Sequence, residues 1–201
     1  MGVFDDIYTN NHWGFGSGHG SLPSVTKTYR EYLEQFIRDN NITSVVDYGC
    51  GDWQFSKLID WGDATYTGLD IVPSVVEEDT KLYGSDKIKF QVIKPGDTNL
   101  PKGDLIISKD VLQHMSDEAV QTFVDEVVPR YKYALITNCV LPAEDINKSI
   151  TAGDFRPLDL RQAPYNVKAA AVHTFVGKKN FSRTTNKFFP AWKKHVLLIT
   201  N

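Results

Sequence analysis

Cysteine is scarce: Cys50 and Cys139 are the only two among 201 residues. Two thiols do not make a disulfide framework, and a reducing cytoplasm is the expected setting. Long apolar runs are missing as well. No stretch approaches the roughly 20 residues that a membrane-spanning helix needs, so no membrane partner is expected. The first residues, Met1-Gly2-Val3-Phe4-Asp5-Asp6, have neither the basic nor the apolar segment of a secretory signal. The five histidines are scattered, with no Cys/His cluster at ligand spacing, so no metal site is expected. Internal repeats and low-complexity linkers are absent too. What is present is 41% hydrophobic and 23% charged residues, the balance of a globular chain long enough for one domain with its own core.

Acidic residues stop at Asp159. Beyond it stand Arg161, Lys168, Lys178, Lys179, Arg183, Lys187, Lys193 and Lys194, so a chain of net charge −3 carries −11 over residues 1–159. Such a split marks either a surface for an anionic partner or solvated faces that have segregated.

The segment from Trp13 to Ser21 places four glycines on alternate positions. A loop this free to bend is expected either to fold over the sheet as a lid or to stay a mobile, solvated N-terminus. Tyr29, Tyr32, Leu33, Phe36 and Ile37 then fall on one helical stripe, and Asn40-Asn41 ends it. Strands follow at 45–48, 66–70, 88–93, 104–108 and 133–137. Ser116 should cap a helix that carries Val120, Phe123, Val124, Val127 and Val128 and stops at Pro129. Two more strands, near 171–176 and 195–200, close the chain. This alternation predicts an α/β, Rossmann-like sheet that is mostly parallel and helix-covered on both faces. Ligands in such sheets bind beyond the carboxyl ends of the strands.

The first strand runs into Asp47-Tyr48-Gly49-Cys50-Gly51-Asp52. A glycine turn at a strand end lets the backbone approach a ligand closely. A dinucleotide would put its pyrophosphate beside Asp52, and like charges repel there. S-adenosylmethionine has no phosphate and carries an ammonium and a sulfonium, which suit Asp47 and Asp52. Asp70 ends the second strand, 19 residues past Gly51, where an acid can accept from ribose hydroxyls. Asp97, after the third strand, is placed to accept from an adenine amino group or to close the Pro95-Gly96 turn.

With Val45-Val46-Asp47-Tyr48-Gly49-Cys50-Gly51-Asp52, Gly68-Leu69-Asp70 and Asp104 through Met115, the sequence resembles the class I S-adenosylmethionine-dependent methyltransferases. A subgroup of bacterial and phage methyltransferase-domain proteins is similar over Trp13 with its glycine loop, Asp52-Trp53-Gln54-Phe55-Ser56 and Phe155 to Leu160. The resemblance implies seven strands with the last antiparallel, and S-adenosylhomocysteine as the product. It implies that Asp47, Gly49 and Gly51 hold the methionine end, Asp70 the ribose and Asp97 the adenine. Cys50, Asp52 and Ile71 would join them in binding the cofactor, with the backbone of Ser108 and Lys109 lining the pocket.

Substrate chemistry should sit nearby. His114, past the fourth strand, is the candidate base, since its ordinary pKa near 6.5 suits proton removal at neutral pH. Lys109 is placed to orient an anionic acceptor or to pair with Asp110. Trp13 would face the methyl group from the lid, and Arg30 would either reach the cofactor carboxylate or stand as a surface arginine. Residues 1–201 are expected to form one methyltransferase domain, with a lid and helix in 1–40 and an acceptor-recognition insert in 141–167. Asp154, Phe155, Arg156 and Asp159 supply that insert with charge and an aromatic ring. A small polar acceptor, anionic ones included, fits best, with oxygen ahead of nitrogen and no metal. The alternatives are a nucleic acid or nucleotide held by the basic tail with its interleaved aromatics, and a module that binds cofactor without turnover.

Overall fold

The computed structural model describes residues 2–141, 143–177, 180–182, 187–189 and 192–201. Its helices are α1 (Val3–Thr9), α2 (Lys27–Asp39), α3 (Pro73–Tyr83) and α4 (Asp117–Thr122). Its strands are β1 (Ser44–Tyr48), β2 (Thr65–Asp70), β3 (Ile88–Val92), β4 (Leu105–Lys109), β5 (Tyr133–Cys139), β6 (Ala170–Val176), β7 (Asn180–Ser182), β8 (Lys187–Phe189) and β9 (Lys193–Thr200). Seven of them form one sheet in the order β3-β2-β1-β4-β5-β9-β6, while β7 and β8 pair as a separate hairpin. β1 to β5 pair in parallel, and β9 runs antiparallel between β5 and β6.

The central strands are apolar on both sides because both sides are covered. Val45, Leu105, Ile107 and Leu135 pack with Tyr29, Leu33, Phe36 and Ile37 of α2. Their neighbours Val46, Ile106, Ala134 and Ile136 point the other way, toward Val120 of α4 and toward Phe123, Val127, Leu158 and Leu160. That alternation is the two-residue period of a strand read through two cores. Each of these large side chains contributes about 1.5–3 kcal/mol by leaving water.

Ser116 caps α4 as expected, its Oγ accepting from the Ala119 N–H at 3.4 Å. The helix does not run on unchanged to Pro129. It widens into a π turn over Phe123–Val127 and tightens over Val128–Arg130. Pro129 has no N–H to give the preceding turn, so regular α pairing cannot reach it.

At the end of β1 the chain turns sharply. The N–H groups of Gly49 and Cys50 both donate to the Leu69 carbonyl, at 2.8 and 3.0 Å. Gly49 has φ +77°, and a methyl group there would press into the Val111 side chain. Gly62 shares the left-handed conformation, at φ +60°, but has open space around it. Gly62→Ala is therefore expected to cost about 1 kcal/mol, the backbone penalty alone. Gly49→Ala should cost clearly more, because β1 and Val111 cannot both stay in place. Equal losses in denaturant unfolding would contradict this account of the turn.

Candidate functional site

The sheet order reverses between β1 and β4, and a cavity of about 280 Å³ opens at the carboxyl ends of the strands there. Such a crevice is where this architecture places ligands. Asp47 and the Gly49–Gly51 turn come from β1, Asp70 and Ile71 from β2, and Ile93, Pro95 and Gly96 from the end of β3. Lys109, Val111 and His114 follow β4, and Phe4, Tyr8, Trp13 and Ser17 cover it from the N-terminus.

Two carboxylates form one side of this cavity. Asp47 is 3% exposed, and its Oδ2 accepts from the Tyr66 hydroxyl at 2.7 Å. Burial pushes its pKa up to about 7. Asp70 takes the Gly51 N–H on Oδ2 and the Val72 N–H on Oδ1, each at 3.0 Å. Burial raises its pKa too, although those backbone donors pull the other way.

Lys109 is the only lysine or arginine among the described residues lining the cavity, and its charge is already engaged. Its Nζ donates to Asp110 Oδ2 at 2.6 Å and to the Gly20 carbonyl at 2.9 Å, and lies 5.0 Å above the Phe55 ring. Lys194 pairs with the same Asp110 oxygen. Lys109 thus fastens the lid instead of presenting a free cation. The lid is fastened again at Ser17, whose N–H and Oγ donate to Asp52 at 3.2 and 2.6 Å. Tyr8 closes that contact at 2.8 Å.

His114 stands where lid and insert meet. Its ring lies 5.0 Å from Trp13 and 5.7 Å from Phe155. Nδ1 is 2.8 Å from the Asp154 carbonyl oxygen. A carbonyl only accepts, so Nδ1 carries the proton and Nε2 keeps its lone pair. Burial lowers the pKa of this ring below its ordinary value.

Trp13, Asp47, Gly49, Cys50, Gly51, Asp70, Ile71, Lys109 and His114 are therefore brought together as expected. Four others are not. Arg30 donates to the carbonyls of Leu58 and Pro23, away from the cavity, because α2 packs it against the loop before Ile59. Asp97 is exposed and accepts the Lys94 N–H at 2.8 Å, closing its own turn, while Ile93, Pro95 and Gly96 form the wall. Asp52 serves the lid, and Ser108 lies buried behind the cavity lining. In the insert, Arg156 and Asp159 are buried struts. Arg156 lies 3.3 Å from Asp117 and donates to the Tyr165 hydroxyl at 3.1 Å, while Asp159 holds Arg161 at 2.7 Å. Of the basic tail, Lys194 is buried; Lys178, Lys179 and Arg183, and the side chains of Lys187 and the interleaved Phe181, Phe188 and Phe189, lie outside the described residues.

Phe4, Tyr8 and Ser17 were not anticipated. Their one signal is Phe4, Ile7 and Tyr8 at i, i+3, i+4, the apolar face of α1.

Residues 46–129 match the family model of a methyltransferase domain. No curated protein matches the sequence significantly. Among solved structures, TehB from Haemophilus influenzae is 13% identical, with 90% of this chain and 67% of that one aligned at a TM-score of 0.62. Protein 1320 of Thermoplasma acidophilum is 15% identical over 100% of this chain and 98% of its own, at 0.59. The magnesium protoporphyrin IX methyltransferase of Synechocystis PCC 6803, solved with S-adenosylhomocysteine, is 15% identical over 89% and 84%, at 0.58. At these identities the likeness is one of fold.

The raised pKa of Asp47 has a consequence for stability. The folded chain holds this proton more tightly than the unfolded chain does, whose carboxyl titrates near 3.9. The resulting stabilisation is complete below pH 4 and is lost as pH climbs through about 7. Without ligand, Asp47→Asn should gain on wild type as pH rises, melting nearest to it at pH 4 and clearly above it at pH 8. A gap that is the same at both pH values would contradict the shift.

Proposed function

We propose that this class I S-adenosylmethionine-dependent methyltransferase carries its methyl group to an oxygen atom of a small polar acceptor, with His114 as the base. The activity class follows from the matched domain; the acceptor and the residue roles are inferred from the cavity.

The donor set suits this cofactor. Asp47 and Asp70 face a cavity whose single lysine is already neutralised by Asp110, so an ammonium and hydroxyl donors are welcome there. A pyrophosphate would meet two buried carboxylates instead. Asp47 would hold the ammonium and Asp70 the ribose hydroxyls, beside the open backbone of Gly49 and Gly51. When bound, the cofactor supplies a methyl group on a cationic sulfur. The lid, pinned by Ser17–Asp52 and Lys109–Gly20, keeps water from the cavity. In the transfer, the acceptor oxygen gains the methyl carbon as the carbon–sulfur bond breaks, and sulfur keeps the electron pair. The hydroxyl proton passes to His114 Nε2 and then to solvent.

The observation that carries this reading is the fixed tautomer of His114. With Nδ1–H held by the Asp154 carbonyl, Nε2 is left unprotonated, its lone pair in long contact with the Gln113 amide at 3.4 Å, on a residue that lines the cavity. A nucleic-acid acceptor has less support, since Lys194 is spent on Asp110 and not displayed.

Asp70→Ala should weaken S-adenosylmethionine binding at least tenfold by calorimetry, roughly 1.4 kcal/mol. His114→Ala should leave that affinity within threefold and reduce methyl transfer by roughly 10²–10⁴. In wild type the transfer rate should rise with pH through a pKa below 6.5 and then level off. Unchanged affinity in Asp70→Ala, or full turnover in His114→Ala, would refute the assigned roles.

A further inference from the structure

A second, larger cavity of about 700 Å³ lies against the insert and shares with His114 the residue Asp154. Its walls are Asp145, Lys148 to Thr151, Asp154 to Pro157, and Trp192 just before β9. Asp154 and Phe155 belong to both features: they line this cavity, and they hold His114 by its Nδ1 and by ring contact. Whatever fills the outer cavity therefore lies next to the base.

Its chemistry is specific. Phe155 is 40% exposed, unusual for so large an aromatic, and packs edge to face with Trp192 at 5.0 Å. Together they offer an apolar platform whose π faces attract polarised C–H groups. Ser149 and Thr151 add hydroxyls that can both donate and accept. Two cations stand here. Lys148 is exposed, 3.8 Å from Asp145. The Arg156 guanidinium is buried, 3.3 Å from Asp117 and donating to the Tyr165 hydroxyl, with Nε and Nη1 left without a hydrogen-bond partner among the described residues. Asp154 enters no ion pair among the described residues, so its carboxylate repels an anion and accepts from hydroxyls.

We infer that the outer cavity is the acceptor site and that it takes an uncharged, polyhydroxylated ring, a pyranoside, stacked on Phe155 and Trp192 with one hydroxyl directed at His114. This deepens the methyl-transfer reading and rests on it for the role of His114. It also narrows the acceptor class: phosphorylated and carboxylated substrates are disfavoured, because they would meet the Asp154 carboxylate in the cavity wall.

The test is saturation-transfer NMR on the full chain. The probes are methyl α-D-glucopyranoside, methyl α-L-rhamnopyranoside and methyl N-acetyl-β-D-glucosaminide, set against glucose 6-phosphate and uridine 5′-monophosphate. At least one glycoside should show saturation at its ring C–H protons, and the phosphorylated compounds should show less. The glycoside signal should fall at least fivefold in Phe155→Ala and in Trp192→Ala. Asp154→Asn should strengthen the glucose 6-phosphate signal. Phe155→Leu, which keeps volume but loses the π face, guards against misfolding and should show the same loss. Saturation by none of the glycosides, stronger binding of the phosphorylated compounds to wild type, or signal that survives in the Phe155 and Trp192 variants would overturn the inference. Calorimetry with S-adenosylmethionine runs in parallel on the same variants. Its failure in wild type would strike the methyl-transfer reading, whereas intact cofactor binding without glycoside binding would strike this one alone.

Discussion

Two buried carboxylates at the ends of adjacent parallel strands set the terms for the rest of the molecule. Burying a carboxylate costs several kcal/mol unless something pairs with it. Among the described residues Asp47 accepts from the Tyr66 hydroxyl, and Asp70 from backbone N–H groups, those of Gly51 and Val72 at 3.0 Å. Neither has a side-chain cation to itself, because Lys109 and Lys194 are both held by Asp110. The sheet thus presents concentrated negative charge to a closed space and leaves its compensation to a ligand. A cofactor with an ammonium, a sulfonium and a diol answers that demand; a dinucleotide does not.

The proposed transfer needs a base at the cavity, and His114 is positioned there by the insert. Its backbone is zipped to the turn after β4: the Gly153 N–H donates to the His114 carbonyl at 2.9 Å, and the Arg156 N–H to the Gln113 carbonyl at 3.1 Å. The Asp154 carbonyl then selects the tautomer of His114. Arg156, read from sequence as a recognition residue, serves instead to hold the insert against Asp117 and Tyr165. In the proposed acceptor site that part falls to its neighbour Phe155, which is exposed.

Much of this was legible in the residues because it depends on local order. Unbroken apolar strands announce a sheet covered on both faces, and Asp47, Gly49, Gly51 and Asp70 sit at strand ends where the chain must turn. What could not be read depends on contacts between distant segments. Asp52 is spent on Ser17, 35 residues away in sequence, and Arg30 on a carbonyl 28 residues on. Lys194 has the charge of a surface residue and is buried only because Asp110 lies beside it. Asp97 was open between two roles, and the short turn claimed it. α1 is only seven residues long, too short for a periodic signal to stand out, yet it supplies Phe4 and Tyr8 to the cavity.

The most direct measurement of the carboxylate account is proton release. S-adenosylmethionine would be titrated calorimetrically at pH 7 in two buffers of different ionisation enthalpy, with wild type and with Asp47→Asn. A cation arriving beside Asp47 must lower a pKa that stands near 7 in the free protein, so roughly half a proton should leave per cofactor bound. That release should vanish in the variant. Binding without proton release in wild type, or with the same release in Asp47→Asn, would contradict the account.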